Sequence, residues 1–205
     1  MVAAFDVDRT VTTRDCVMPF LRRVGGTLPF AARFGGSLIV NVPAVLRRDR
    51  NRLKALAARA AFAGRSMADI ELLGEEFAGE VAASWLRLDT LARMRWHRDE
   101  GHDIVFVSAS FATYLRPLAR RLDGVAAVLG TELVVGPDGR CTGELLGVNC
   151  RGPEKVRRLH DWLDVQRGGR DAVDLWAYGD SPGDHELLAD ADIAVWAADP
   201  LEPQP

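Results

Sequence analysis

The chain has 205 residues, 48% hydrophobic and 27% charged, with 26 basic against 29 acidic side chains and a formal net charge of −3. That length suits one domain, or a core with a modest insert, burying about 70% of the unfolded surface with no metal or disulfide staple. The composition excludes disorder and fibrous repeats, and the acidic balance argues against a nucleic-acid partner. Cys16, Cys141 and Cys150 form no CxxC pair, which fits a reducing cytoplasm better than a disulfide framework. The N-terminus carries no basic region ahead of Asp6 and does not read as a signal peptide. Arginine supplies every cation except two, Lys54 and Lys155, which therefore draw notice.

Residues 2–7 form a short apolar run leading into Asp6-Val7-Asp8-Arg9-Thr10, the pattern of a buried strand ending in a carboxylate-rich loop. From Asp15 to about Glu100 the chain turns to alanine, leucine and arginine at helical spacing, which predicts a helical module. Strand character returns at 103–107, followed by Ser108-Ala109-Ser110 and a helix over about 112–122. Runs at 126–129, 132–135 and 141–146 follow, the last two forming a hairpin around Gly136-Pro137-Asp138-Gly139. Pro153 suits the first turn of a helix over 154–163. Short strands at 175–178 and 193–196 complete the pattern, and the proline-rich tail from Asp199 is expected to fray.

Strands alternating with helices predict an α/β fold with a parallel sheet, whose functional groups gather beyond the carboxyl ends of the strands. Asp6 and Asp8, Ser108, and Asp180 with Asp184 each follow a separate predicted strand. Carboxylates crowded there repel by about 4 kcal/mol per pair at 4 Å and an effective dielectric of 20, so they call for a cation. An all-oxygen donor set fits Mg²⁺ rather than zinc. Lys155, Ser108 and Thr10 could then hold an arriving anion.

Four segments, Asp6-Val7-Asp8-Arg9-Thr10, Ser108, Lys155 and Gly179-Asp180-Ser181-Pro182-Gly183-Asp184, resemble in order and spacing the four motifs of the haloacid dehalogenase (HAD) superfamily. The resemblance covers nearly the whole chain. It implies a Rossmann-like parallel-sheet core over 1–14 and 98–205, with an all-helical cap of the C1 type over 15–97. That cap is similar to the one of the phosphoserine phosphatase-like branch, subfamily IB. Thr12-Thr13-Arg14-Asp15 and Arg151-Gly152-Pro153-Glu154-Lys155-Val156 resemble members related to phosphatidylglycerophosphatase C.

The resemblance implies a Mg²⁺-dependent phosphomonoester hydrolase acting on a small phosphorylated substrate. Asp6 would be the nucleophile and Asp8 the general acid and base. Asp6, Asp8 (through its carbonyl), Asp180 and Asp184 would serve the metal, while Thr10, Ser108 and Lys155 hold the phosphate. Asp8 separates phosphatases from dehalogenases, whose halide needs no proton. Asp15 falls where phosphoserine phosphatases read the substrate amine. Two departures stand out: Arg9 replaces a small residue, often glycine, and is read as solvent-facing, and Ala109-Ser110 replace paired glycines. Transfer to an acceptor other than water, hydrolysis of a membrane phospholipid headgroup, and ligand binding without turnover are the alternative functions.

Other residues have plainer readings. Gly147 to Lys155 lacks the Lys-Ser/Thr of a P-loop. His97 and His102 miss metal spacing and are read as surface residues, and the five scattered tryptophans form no stacking platform. Residues 28–46 are apolar but interrupted by Pro29, Arg33 and Pro43, too short and broken for a membrane span. The favoured reading is a cap helix packed on the core; the other is a surface that meets lipid.

Overall fold

The computed structural model describes residues 1–47 and 49–202. Val2–Phe5 forms β1, and every residue of it is buried. That follows from its continuous apolar run, the mark of a parallel strand covered on both faces. Six helices then intervene: α1 (Val17–Gly25), α2 (Thr27–Val40), α3 (Val42–Leu46), α4 (Arg50–Phe62), α5 (Met67–Ser84) and α6 (Leu88–Asp99). The chain returns as β2 (Asp103–Phe111), α7 (Ala112–Arg121), β3 (Val125–Val135), β4 (Cys141–Leu146) and α8 (Pro153–Arg167). After a 3-10 turn at Arg170–Ala172 come β5 (Leu175–Gly179), α9 (His185–Asp190) and β6 (Ile193–Trp196).

The sheet order is β4-β3-β2-β1-β5-β6, parallel except for the β3–β4 hairpin. Strand alternation divides the core. Ala3 and Phe5 face one apolar cluster shared with α1, α4 and α5, while Val2 and Ala4 face Leu159, Leu163 and Leu187 of α8 and α9. Because β1 is flanked by β2 on one side and β5 on the other, its carboxyl end is the switch point where such sheets bind ligands.

The α/β expectation holds, with local differences. Strand β2 runs past Val107 to Phe111, which pairs with Thr131 after a register shift. The two runs at 126–129 and 132–135 are one strand, because Gly130 and Thr131 stay extended against β2 and α7. His97 is fully buried: its Nδ1 meets His102 Nδ1 at 2.8 Å and its Nε2 meets the Tyr178 hydroxyl at 2.8 Å. The segment before the described end is tied down, with Leu201 N–H donating to Asp89 and Arg93 donating to the Glu202 carbonyl. The last residues of the expected frayed tail, 203–205, lie outside the described residues.

Residues 28–46 are helical, and α2 packs on the core through Phe30 with Phe34 beside it, but the rest of the stretch stays largely uncovered. In α2 only Phe30 is buried, and α3 buries nothing. No helix among the described residues is long and apolar enough to cross a membrane.

Candidate active site

Asp6 follows β1 directly, its N–H donating to the Tyr178 carbonyl of β5 at 2.9 Å. The loop then closes on itself, as the N–H groups of Thr10, Val11 and Thr12 all converge on the Val7 carbonyl. Such a tight turn needs one residue in the left-handed region, and Arg9 occupies it at φ 64°. This is the physical reason a glycine is expected there. The Arg9 side chain is exposed at the rim of the cleft, and Arg87 fastens its carbonyl at 2.8 Å.

A cleft of about 460 Å³ opens at this end of the sheet, a size suited to a small ligand. Asp6, Asp180 and Asp184 line it, each offering an oxygen within 4.8 Å of the others. Lys155, from the first turn of α8, donates to Asp6 at 2.6 Å and to Asp184 at 2.5 Å. All three side chains are buried. Burial pushes the Asp6 carboxyl up to about 7; Lys155 opposes the rise, and Asp184 and Asp8 add to it. Burial lowers the Lys155 ammonium, but its two carboxylate partners outweigh that and hold it protonated. Asp184 runs the other way: burial alone would raise it, yet Lys155 and Ser181 bring it below the usual carboxylate range. Burial and Asp184 raise Asp180. Three hard oxygen donors beside a fixed ammonium, with no cysteine or histidine among them, fit Mg²⁺ better than a soft metal.

Asp8 stands apart from that cluster. Its Oδ1 accepts the Cys16 N–H at 3.0 Å and its Oδ2 accepts the Ser110 hydroxyl at 2.6 Å. Burial lifts it to about 6, with Asp15 adding and Ser110 opposing. Its carboxyl lines the cleft outside the cluster formed by Asp6, Asp180 and Asp184.

Ser108 lines the cleft, and its Oγ accepts the Ser110 N–H at 3.2 Å. Thr10, expected to contact phosphate, does not line the cleft; it is buried behind the wall with its hydroxyl donated to Asp180 at 3.4 Å. Asp15 does line the cleft and also caps α1, accepting the Met18 N–H at 3.1 Å.

The structure adds residues that the motifs do not contain. Lys54 reaches from α4 to the core and donates to the Ala109 carbonyl, to Thr131 at 3.0 Å and to Asn149 at 2.7 Å. All three acceptors are neutral, and burial lowers its ammonium to about 7 despite the pull of Asp8. Asn149 returns to the insert by donating to Asn51 at 2.9 Å. The scarcity of lysine is the one signal that singles out Lys54; nothing in the sequence places Ser110 against Asp8. Val17, Met18, Leu21, Phe34 and Leu53 give the cleft an apolar wall.

The chain is similar to known proteins. The model for haloacid dehalogenase-like hydrolases matches residues 3–189. Protein CicA of Caulobacter vibrioides is 40% identical over 194 residues, 94% of this chain and 83% of that protein. Phosphoserine phosphatase SerB1 of Mycobacterium tuberculosis is 30% identical, over 94% of this chain and 63% of its own. A solved structure of a protein of unknown function from Bordetella pertussis Tohama I covers 92% of this chain and 85% of its own, at 25% identity and a TM-score of 0.69. The fold also matches a phospho-aspartyl intermediate analogue of phosphoserine phosphatase, at 14% identity and TM-score 0.61, over 95% of this chain and 85% of that one. The chain belongs to the haloacid dehalogenase-like hydrolase family and is an enzyme of its phosphatase kind.

Proposed function

We propose that the protein hydrolyses small phosphomonoesters with Mg²⁺ through a covalent phosphoryl group on Asp6. The observation that carries this reading is the division of labour among carboxylates. Asp6, Asp180 and Asp184 converge around one point beside Lys155, while Asp8 is held separately by Cys16 and Ser110. Mg²⁺ held by Asp6 and Asp180, with Asp184 in support and the Asp8 carbonyl as a further donor, would offset their charge and polarise the phosphoryl oxygens.

In this reading an Asp6 oxygen forms a bond to phosphorus as the ester P–O bond breaks, and the Asp8 carboxyl gives its proton to the leaving oxygen. Asp8, now ionised, takes a proton from water, which attacks phosphorus and releases phosphate and the free Asp6 carboxylate. Ser108 and Lys155 hold the phosphoryl oxygens as charge shifts between them. Thr10 acts by positioning Asp180. The division that serves this chemistry is a core of 1–14 and 98–205 and a cap of 15–97. Helix α6 lies at the seam, because its Arg93 and His97 pack on Tyr178.

The name of SerB1 makes phosphoserine a natural first substrate, and the position of Asp15 on the cleft wall supports a role in meeting its amine. The test is phosphate release from p-nitrophenyl phosphate, with Mg²⁺ or EDTA, for the natural chain and Asp6→Asn. Turnover that vanishes in both EDTA and Asp6→Asn supports the mechanism, and turnover that survives the loss of Asp6 overturns it. On a substrate panel, Asp15→Ala should erase any preference for amino-bearing phosphates; an unchanged preference removes Asp15 from the specificity set.

A further inference from the structure

The outer face of the helical insert combines two features that rarely share a free surface. The first is apolar exposure. At 100° per residue, Leu28, Ala31, Ala32, Gly35, Gly36, Ile39 and Val40 line one side of α2, opposite Phe30, Phe34 and Ser37. A helix apolar all round is normally buried, yet Leu28 is 81% exposed, Ile39 76% and Val40 79%. Val42, Val45 and Leu46 of α3 extend the patch, so 6 of the 15 exposed large hydrophobic residues described fall within one 19-residue stretch.

The second feature is charge. Residues 16–66 hold ten basic side chains and a single acid, Asp49, while the rest of the chain holds 16 basic and 28 acidic residues. Asp49 is already spent in capping α4 through the Arg52 N–H. Arg22, Arg33, Arg47 and Arg50 are exposed and make no ion pair among the described residues.

We propose that the α2–α3 face docks on the surface of a bilayer containing anionic lipids, lying in the interface without crossing it. Exposed aliphatic side chains rimmed by cations are what such a surface takes up. The face has no exposed aromatic anchor of the kind that dominates protein–protein hot spots, since Phe30 is buried and Phe34 half-buried against it. A second copy of the chain, meeting this face with its own, would set one arginine rim against another with only Asp49 to relieve it. Phe34, on the other side of α2, and Arg50 line the catalytic cleft, so the docking helix also forms part of the cleft wall.

The test is flotation of the full chain with phosphatidylglycerol–phosphatidylcholine vesicles and with pure phosphatidylcholine vesicles. Compared are the natural chain, Ile39→Asp/Leu46→Asp and Arg33→Ala/Arg47→Ala. Binding should require the anionic lipid, weaken with added salt, and fall about tenfold or more in each double variant. An unchanged melting temperature shows that these surface variants fold. Absence of binding, equal binding to neutral vesicles, or full binding by Ile39→Asp/Leu46→Asp overturns the proposal. So does a dimer in sedimentation that this variant dissociates while vesicles are ignored, which would assign the face to a second copy. The readout needs no turnover, so it stands or falls separately from the assigned chemistry.

Discussion

Asp8 is pinned at both oxygens, by a backbone N–H that starts α1 and by a hydroxyl that ends β2. Losing the hydroxyl frees one oxygen to rotate without removing the carboxyl proposed as the acid. Ser110→Ala should therefore lower kcat about tenfold, a part of the 10²–10⁴ that general acid catalysis supplies, with KM nearly unchanged. The loss should shrink for p-nitrophenyl phosphate, whose leaving group needs little protonation, and steady-state kinetics on an alkyl phosphate beside it would show the contrast. An equal loss on both would mean that Ser110 serves the phosphate and not the proton. At this scale the sequence was most informative where function is written contiguously. Asp6 and Asp8 lie two apart on one loop, and Asp180 and Asp184 four apart on another, so local order alone brings each pair to a strand end. Ser110 was visible only as a departure from paired glycines, because its role depends on β2 running three residues beyond Ser108.

At the scale of elements, the β3–β4 hairpin props up α4. Gly64 N–H donates to the Cys141 carbonyl and Cys141 N–H to the Arg65 carbonyl, both at 2.8 Å, and Met67 N–H donates to the Gly139 carbonyl at 2.9 Å. That brace delivers Lys54 to Ala109, one residue after Ser108. Folding lowers this lysine from 10.5 to about 7, so between those values the unfolded chain binds a proton that the folded chain does not. The stability of the natural chain should consequently rise with pH across that window, by up to about 1 kcal/mol per pH unit. Lys54→Met should lack this component, as urea unfolding of both at pH 7 and pH 9 would reveal; parallel slopes would place the ammonium in water. A second contact, between α5 and α7, is closer still. A Cβ on Gly74 would sit 2.4 Å from the Thr113 carbonyl oxygen, so Gly74→Ala should cost about 1–3 kcal/mol in the same assay. The helices themselves were legible from periodicity. Their partners were not, since Lys54, Thr131 and Asn149 meet from three distant parts of the chain. The burial of His97 is hidden from the sequence for the same reason: its neighbour Tyr178 lies 81 residues away.

For the whole molecule, the gathered carboxylates are a standing cost that Lys155 offsets only in part, since Asp6 and Asp180 remain raised. A divalent cation that binds the folded state alone should relieve it and raise the melting midpoint, by about 2–4 °C for each kcal/mol of binding free energy. Calorimetry with Mg²⁺ and with EDTA should show that rise in the natural chain and little of it in Asp180→Asn; equal midpoints in all four samples would mean that no cation is held there. The parallel sheet, the hairpin and the helical insert were all readable from strand and turn patterns. The exposure of α2 and α3 was not, because a hydrophobic stretch states what water disfavours and leaves open whether protein covers it.

The place of β1 carries a consequence for biosynthesis. It is made before the other five strands of its sheet, yet Val2 pairs with Asp103 on one side and Leu175 on the other. At roughly 5–20 residues per second, the strand bearing Asp6 waits roughly 10–35 s on the ribosome for its second neighbour. Helices α1 to α5 are synthesised within that interval, so the part that would choose the substrate can be shaped before the part that would cleave it exists.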